Sequence, residues 1–295
     1  MKKSTPKGIL FLICAAVVWG GAFVVQCLAA EQITPFFFNA SRFFVGAVSM
    51  IPVVLIFEKG AHDKKKLKNT VLVGIVAGVI LALASYLQQV GVGLTDSAGK
   101  SGFITGLYMI LVPIIGIFFG RKSDIFTWLG AVLGVAGLFF VCLTDSRATV
   151  TWGDLVLIAG AFLFAAHIIV IDKFGGEIYS LRFSAVQILT SAVVSMIGAL
   201  IFESVEPSAL VKSVIPVLYC GIFSVGIGYT FQTLGQKYSE PTSAAILLST
   251  ESVFSAVFGV IFLKENESMG PFTYIGFALI FGGIVVSQFR RKKKA

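Results

Sequence analysis

Apolar residues fall in blocks of about twenty along almost the whole chain, separated by short polar stretches. Ten such blocks lie at roughly 8–30, 35–57, 70–92, 97–120, 125–143, 152–172, 179–202, 211–235, 241–263 and 271–289. About twenty consecutive apolar residues are what a helix needs to cross the hydrocarbon core of a bilayer. The pattern predicts an all-α membrane protein of ten transmembrane helices. Its longest loop, Glu58 to Asn69, carries the run Lys64-Lys65-Lys66. The first block is too long for the core of a cleaved signal, about 7–15 residues, so it reads as the first span.

Composition agrees. Of the 295 residues, 57% are hydrophobic and 13% charged, against about 25% charged in soluble domains. The net charge of +8 does not mark a nucleic-acid binder, because the basic residues sit in loops and at the ends and form no continuous face. Placing the N-terminus inside puts 17 of the 23 basic residues on the cytoplasmic side, among them Lys7, Lys64, Lys65, Lys66, Lys68, Arg121, Lys122, Lys173, Lys237 and the tail from Arg290. Arg147, Lys212 and Lys264 fall outside. This bias predicts an inner-membrane protein with both termini in the cytoplasm. The four cysteines (Cys14, Cys27, Cys142 and Cys220) all lie in apolar blocks and read as small core residues, not as a metal or disulfide framework.

The chain repeats itself. Val48-Ser49-Met50-Ile51 recurs as Val194-Ser195-Met196-Ile197, Tyr86 and Gln89 as Tyr229 and Gln232, Gly116 as Gly259, and Gly130 and Gly137 as Gly276 and Gly283. The offsets run from 143 to 146. Two halves, 1–145 and 146–295, follow. Five spans each is an odd number, so the halves cross the membrane with opposite polarity. Such inverted repeats belong to secondary transporters, which bind cargo near the midplane between the repeats. Glu251 aligns with Tyr108. Small-xxx-small pairs such as Gly74/Gly78, Gly102/Gly106, Gly116/Gly120 and Gly130/Gly134 predict close helix packing. Pro52, Pro113 and Pro216 predict kinks.

Several stretches resemble the drug/metabolite transporter superfamily and its EamA-type ten-span exporters. They are Trp19-Gly20-Gly21-Ala22-Phe23, Arg42 within Asn-Ala-Ser-Arg-Phe-Phe, Phe262-Leu263-Lys264-Glu265, Tyr274-Ile275-Gly276 and Gly282-Gly283. The resemblance covers essentially the whole chain. Where the family often has a glutamate after the fourth span, this chain has Arg121-Lys122. The resemblance implies two inverted five-helix, EamA-like repeats and efflux of small metabolites, often amino acids.

The candidate site begins with Glu251, the one carboxylate deep in an apolar block. A charge at mid-helix costs roughly 2.5–3.5 kcal/mol, so such a group is expected to face a cavity or a partner. It could accept a proton or hold a substrate ammonium, or it could be a structural hydrogen-bonding acid. Ser249, Thr250, Ser252 and Ser255 surround it in sequence. Arg42 could grip a carboxylate in two-pronged fashion, or snorkel outward. Tyr86, Gln88 and Gln89 end the third span, and Tyr229 and Gln232 the eighth; they are either gate or substrate contacts, one set per side, or interhelical bonds. His167 could relay protons or simply pack. Lys100 is expected to snorkel to the outer surface. Trp19 shares a helix face with Phe23.

No phosphate-binding glycine loop, metal cluster or catalytic triad appears in the sequence, and no cofactor is implied. The reading is a non-enzymatic exporter of small metabolites, foremost amino acids or related compounds, working in the lipid bilayer by alternating access. Proton coupling through Glu251 is one way to drive it. The alternatives are a flippase for lipids or lipid-linked sugars and, further off, a membrane-embedded enzyme or scaffold.

Overall fold

The computed structural model describes residues 4–60, 63–95, 97–118, 120, 124–142, 150–263 and 271–288. The Lys264-Glu265 motif, Arg121-Lys122, Arg147 and the basic tail lie outside the described residues. All regular structure among the described residues is helical. Eight helices are long and apolar enough to cross a membrane. They are α1 (Pro6–Ala30), α2 (Pro35–Phe57), α3 (Lys64–Thr95), α4 (Ala98–Phe118), α6 (Trp152–Phe174), α7 (Ser180–Phe202), α8 (Val214–Lys237) and α9 (Pro241–Leu263). Two further apolar helices, α5 (Ile125–Cys142) and α10 (Pro271–Gln288), have shorter apolar stretches.

The helix α3 begins at Lys64, ahead of its apolar block. Lysine is a good helix former, and Asp63 caps the start, its Oδ1 accepting from Lys65 N at 2.9 Å and Lys66 N at 3.1 Å. A short surface helix, Pro207–Lys212, separates α7 from α8.

Three helices depart from the continuous form that their apolar runs suggest. The helix α4 is two α-helical pieces, Ala98–Gly106 and Tyr108–Phe118, joined at Leu107. The helix α9 breaks at Ser249-Thr250, between Pro241–Leu248 and Glu251–Phe258. Both breaks are tight turns with three-residue hydrogen bonds, Leu107 N to Ile104 O and Ser252 N to Ser249 O among them. In α9 the hydroxyls assist. Ser249 Oγ donates to Ile246 O at 2.9 Å and Thr250 Oγ1 to Leu247 O at 2.7 Å, which competes with regular backbone pairing. The third departure is in α8, where Cys220–Gly228 winds as π-helix.

The broken helices cross each other tightly. Gly102 and Gly106 leave room for Ser255 and Ser252, and Ser252 Oγ donates to Gly102 O at 2.6 Å. Elsewhere α5 packs along α10, α2 along α7, α3 between α6 and α7, and α8 against α1 and α2.

The pair α2 and α7 is clamped at both ends. Glu203, just past α7, accepts from Phe36 N and Phe37 N at 2.8 and 3.0 Å, in the first turn of α2. Glu58, just past α2, accepts from Leu181 N and Arg182 N, both at 3.0 Å, in the first turn of α7. A carboxylate on free N-terminal amides satisfies donors the helix cannot pair itself and faces the positive end of its dipole.

Candidate functional site

One cavity lies at the centre, where both helix breaks meet α1, α6 and α8. The α1 wall is Trp19, Ala22, Phe23 and Gln26, one face of that helix. Thr105 and Tyr108 flank the α4 break, and Leu248 and Glu251 flank the α9 break. Phe164 and Ile168 of α6, Ser224, Tyr229 and Gln232 of α8, Gln88 of α3 and Arg42 of α2 complete it. The free space is about 30 Å³, room for about two waters. No metabolite fits in a space of that size.

Glu251 is 3% exposed and Arg42 2% exposed, so both ionisable groups are dry. Ions are tolerated in such a place only when partnered or when function requires them. Among the described residues neither lies within ion-pair distance of an opposite charge. Arg42 does not snorkel. Its Nε donates to Asn39 Oδ1 at 2.8 Å, and its guanidinium sits over the Phe38 and Phe43 rings at 5.2 and 5.3 Å. One terminal nitrogen, Nη2, has no partner. Glu251 interacts with the Tyr108 side chain, yet Tyr108 Oη closes no hydrogen bond of ordinary length. The hydroxyls near Glu251 in sequence do not serve it, because Ser249, Thr250, Ser252 and Ser255 all donate to backbone carbonyls.

The aromatic wall is fixed by the π-helical stretch, a feature often found at functional sites. Ser224 O within it accepts from Trp19 Nε1 at 3.0 Å. Tyr229 follows directly, with ring centroids 5.1 Å from Trp19 and 6.1 Å from Phe43.

Of the residues picked out from the sequence, Trp19, Arg42, Gln88, Tyr108, Tyr229, Gln232 and Glu251 converge on this cavity. Three do not line it. Tyr86 stacks on Phe36 at 3.7 Å. Gln89 Nε2 donates to Gln26 O at 3.1 Å, tying α3 to α1. His167 is wholly buried, its Nε2 2.9 Å from Gln187 Oε1 and its ring edge-on to Tyr229. Gln88, Tyr229 and Gln232 thus share one chamber instead of forming a set on each side. Lys100 corrects an expectation outright. It is 7% exposed, and its Nζ lies 2.8 Å from Asp154 Oδ2, because Asp154 in the first turn of α6 offers a closer partner than the surface.

Sequence reading missed Gln26, Thr105, Ser224, Phe164, Ile168, Ala22 and Leu248. Gln26 had a signal, as the sole amide in α1; its Oε1 is buried without a partner. The others are ordinary residues of an apolar block.

A bundle of long apolar helices around a narrow central cavity lined by buried ionisable side chains fits a membrane transporter, and the comparisons identify the class. The model of the EamA-like transporter family matches residues 6–143 and again 151–289. The chain belongs to that family. It is 27% identical over 285 residues to an uncharacterized transporter of Archaeoglobus fulgidus, covering 95% of this chain and 85% of that one. It is 25% identical over 299 residues to the uncharacterized transporter YoaV of Bacillus subtilis, covering 97% and 99%. A solved structure described only as "Crystal structure of protein" shares the fold, with a TM-score of 0.76, 20% identity and coverage of 96% and 97%.

Proposed function

We propose that this transporter exports small zwitterionic metabolites, amino acids or close relatives, by alternating access. The observation that carries the reading is that Arg42 and Glu251 line the same narrow cavity without pairing with each other. A zwitterion supplies both missing partners. Its carboxylate meets the guanidinium edge, and its ammonium meets Glu251 and the Tyr108 hydroxyl. Gln26, Gln88 and Gln232 can donate or accept around it. The apolar wall of Trp19, Phe23, Phe164 and Leu248 faces the rest of the molecule.

The transport cycle we infer rests on two inverted five-helix halves, with α5 and α10 also crossing the membrane. Three observations support that arrangement. The family model matches twice in tandem. The two breaks fall at equivalent positions, with Tyr108 and Glu251 each opening a second half-helix. The cavity is lined in matched pairs: Thr105 with Leu248, Tyr108 with Glu251, Trp19 with Phe164, and Phe23 with Ile168. The excess of lysine and arginine in alternate loops supports cytoplasmic termini in the inner membrane.

The test is a comparison of released metabolites from cells expressing the wild-type chain, Arg42→Gln or Glu251→Gln. Enrichment of one or more zwitterions by the wild type alone is expected. Enrichment only of species without an ammonium or without a carboxylate would sink the reading.

A further inference from the structure

A second groove, sharing no lining residue with the cavity, lies on the exposed side between α3 and α6. Leu72, Val73 and Val76 of α3 and Val170 and Phe174 of α6 line it, and Asn69 and Glu177 close one end. It is open and measures about 370 Å³. Leu72 and Val76 are 53% and 54% exposed. The polar end is held shut by Asn69 Nδ2, which donates to Glu177 Oε2 at 3.3 Å.

What stands over that end decides the occupant. Lys65 is one helical turn before Asn69, and Lys68 one turn before Leu72, so both lie on the groove's own face of α3. Lys173, with its Nζ 5.5 Å from the Phe174 ring centroid, stands over the same end from α6. Lys66 is turned to the Tyr179 ring, 4.8 Å away, and takes no part. The ammonium groups of Lys65, Lys68 and Lys173 outnumber the carboxylates of Glu177 and of Asp63, which caps the start of α3, so the mouth is positive. From Asn69 to Val76 the slot runs about 10 Å along the helix. A positive mouth above an apolar slot that opens sideways into the bilayer matches an amphiphile with a negative head and a hydrocarbon tail.

We propose that this groove binds one anionic phospholipid of the surrounding leaflet, its phosphate under Lys65, Lys68 and Lys173 and an acyl chain along Leu72, Val76 and Val170. Basic pockets beside membrane helices attract anionic headgroups in this way. The groove adds a chain-binding slot, which makes the site stoichiometric and distinguishes it from a diffuse basic surface.

Native mass spectrometry of the full chain in detergent, titrated with phosphatidylglycerol or with phosphatidylcholine of the same chain length, tests this. The wild type is expected to retain one phosphatidylglycerol with at least about tenfold preference. Lys65→Gln/Lys68→Gln should erase the preference. Val76→Trp, which fills the slot and leaves every charge in place, should lower retention of the bound lipid about tenfold; Leu72→Trp does the same at an equally exposed position should the first variant fold poorly. Equal retention of the two lipids by the wild type overturns the proposal. So does loss of phosphatidylglycerol in the lysine variant together with full retention in both tryptophan variants, since that outcome describes adsorption to charge alone.

Discussion

Glu58 and Glu203, 145 residues apart, each cap the helix that the other one terminates. Glu203 takes the first amides of α2 and Glu58 the first amides of α7, two bonds each, at 2.8–3.0 Å. The offset lies within the range shown by the sequence repeat. The two contacts sit at opposite ends of one antiparallel pair.

Equivalent roles imply equivalent costs. Glu203→Ala and Glu58→Ala should each destabilise the protein by about 1–2 kcal/mol, the usual loss for a helix cap. Thermal unfolding in detergent measures both. Glu203→Gln should recover part of the loss, because one oxygen remains to accept. A large effect at one glutamate and none at the other would show that the two ends are not equivalent.

Glu251→Gln should yield folded, inserted protein without transport, or with transport that no longer depends on pH. Glu251→Asp should be partly active, since the charge survives on a shorter arm. Counterflow and net efflux in proteoliposomes between about pH 5.5 and 8 separate the two outcomes for Gln. Normal flux with an unchanged pH profile in the Gln variant would reduce Glu251 to a packing role.

Arg42→Lys keeps the charge but loses the planar fork, the bond to Asn39 and the stacking between Phe38 and Phe43. The expected result is KM raised about tenfold, about 1.4 kcal/mol, with Arg42→Gln inactive. Counterflow kinetics read both. A lysine variant with unaltered KM would mean that Arg42 does not touch the substrate.

The Lys100–Asp154 pair joins the first turns of α4 and α6 with both side chains under 10% exposed. Lys100→Met strands a buried carboxylate and should cost about 3–5 kcal/mol. Lys100→Met/Asp154→Asn should regain most of that. The charge is then gone, while the amide oxygen of the introduced asparagine can still accept from Thr151 N, as Asp154 Oδ2 does at 2.7 Å. Melting temperatures of the single and double variants decide it.

Much of the fold is legible in the sequence, because apolar blocks of about twenty residues leave the backbone few other ways to satisfy its hydrogen bonds in lipid. Glu251 is legible for a related reason: an acid in such a block is costly, and the cost calls for a cavity. The repeat then leads to Tyr108. The rest depends on distance. Glu58 and Glu203 look like loop charges until partners more than 120 residues away are folded onto them. Lys100 looks like a snorkelling lysine until Asp154 arrives beside it. The breaks in α4 and α9 escape a hydropathy reading because each falls inside one span that is apolar enough as a whole to cross a membrane, and the π-helical turns of α8 leave no mark on hydrophobicity at all.

The 30 Å³ chamber also bears on throughput. A chamber with room for about two waters is no standing pore, so the bilayer's ion gradients do not drain through it. On the alternating-access cycle proposed above, each molecule carried costs one full rearrangement of packed helices, a motion of microseconds to milliseconds. On that cycle, flux per protein is capped near the frequency of the rearrangement, orders of magnitude below a pore, and a cell that needs more transport has to make more copies.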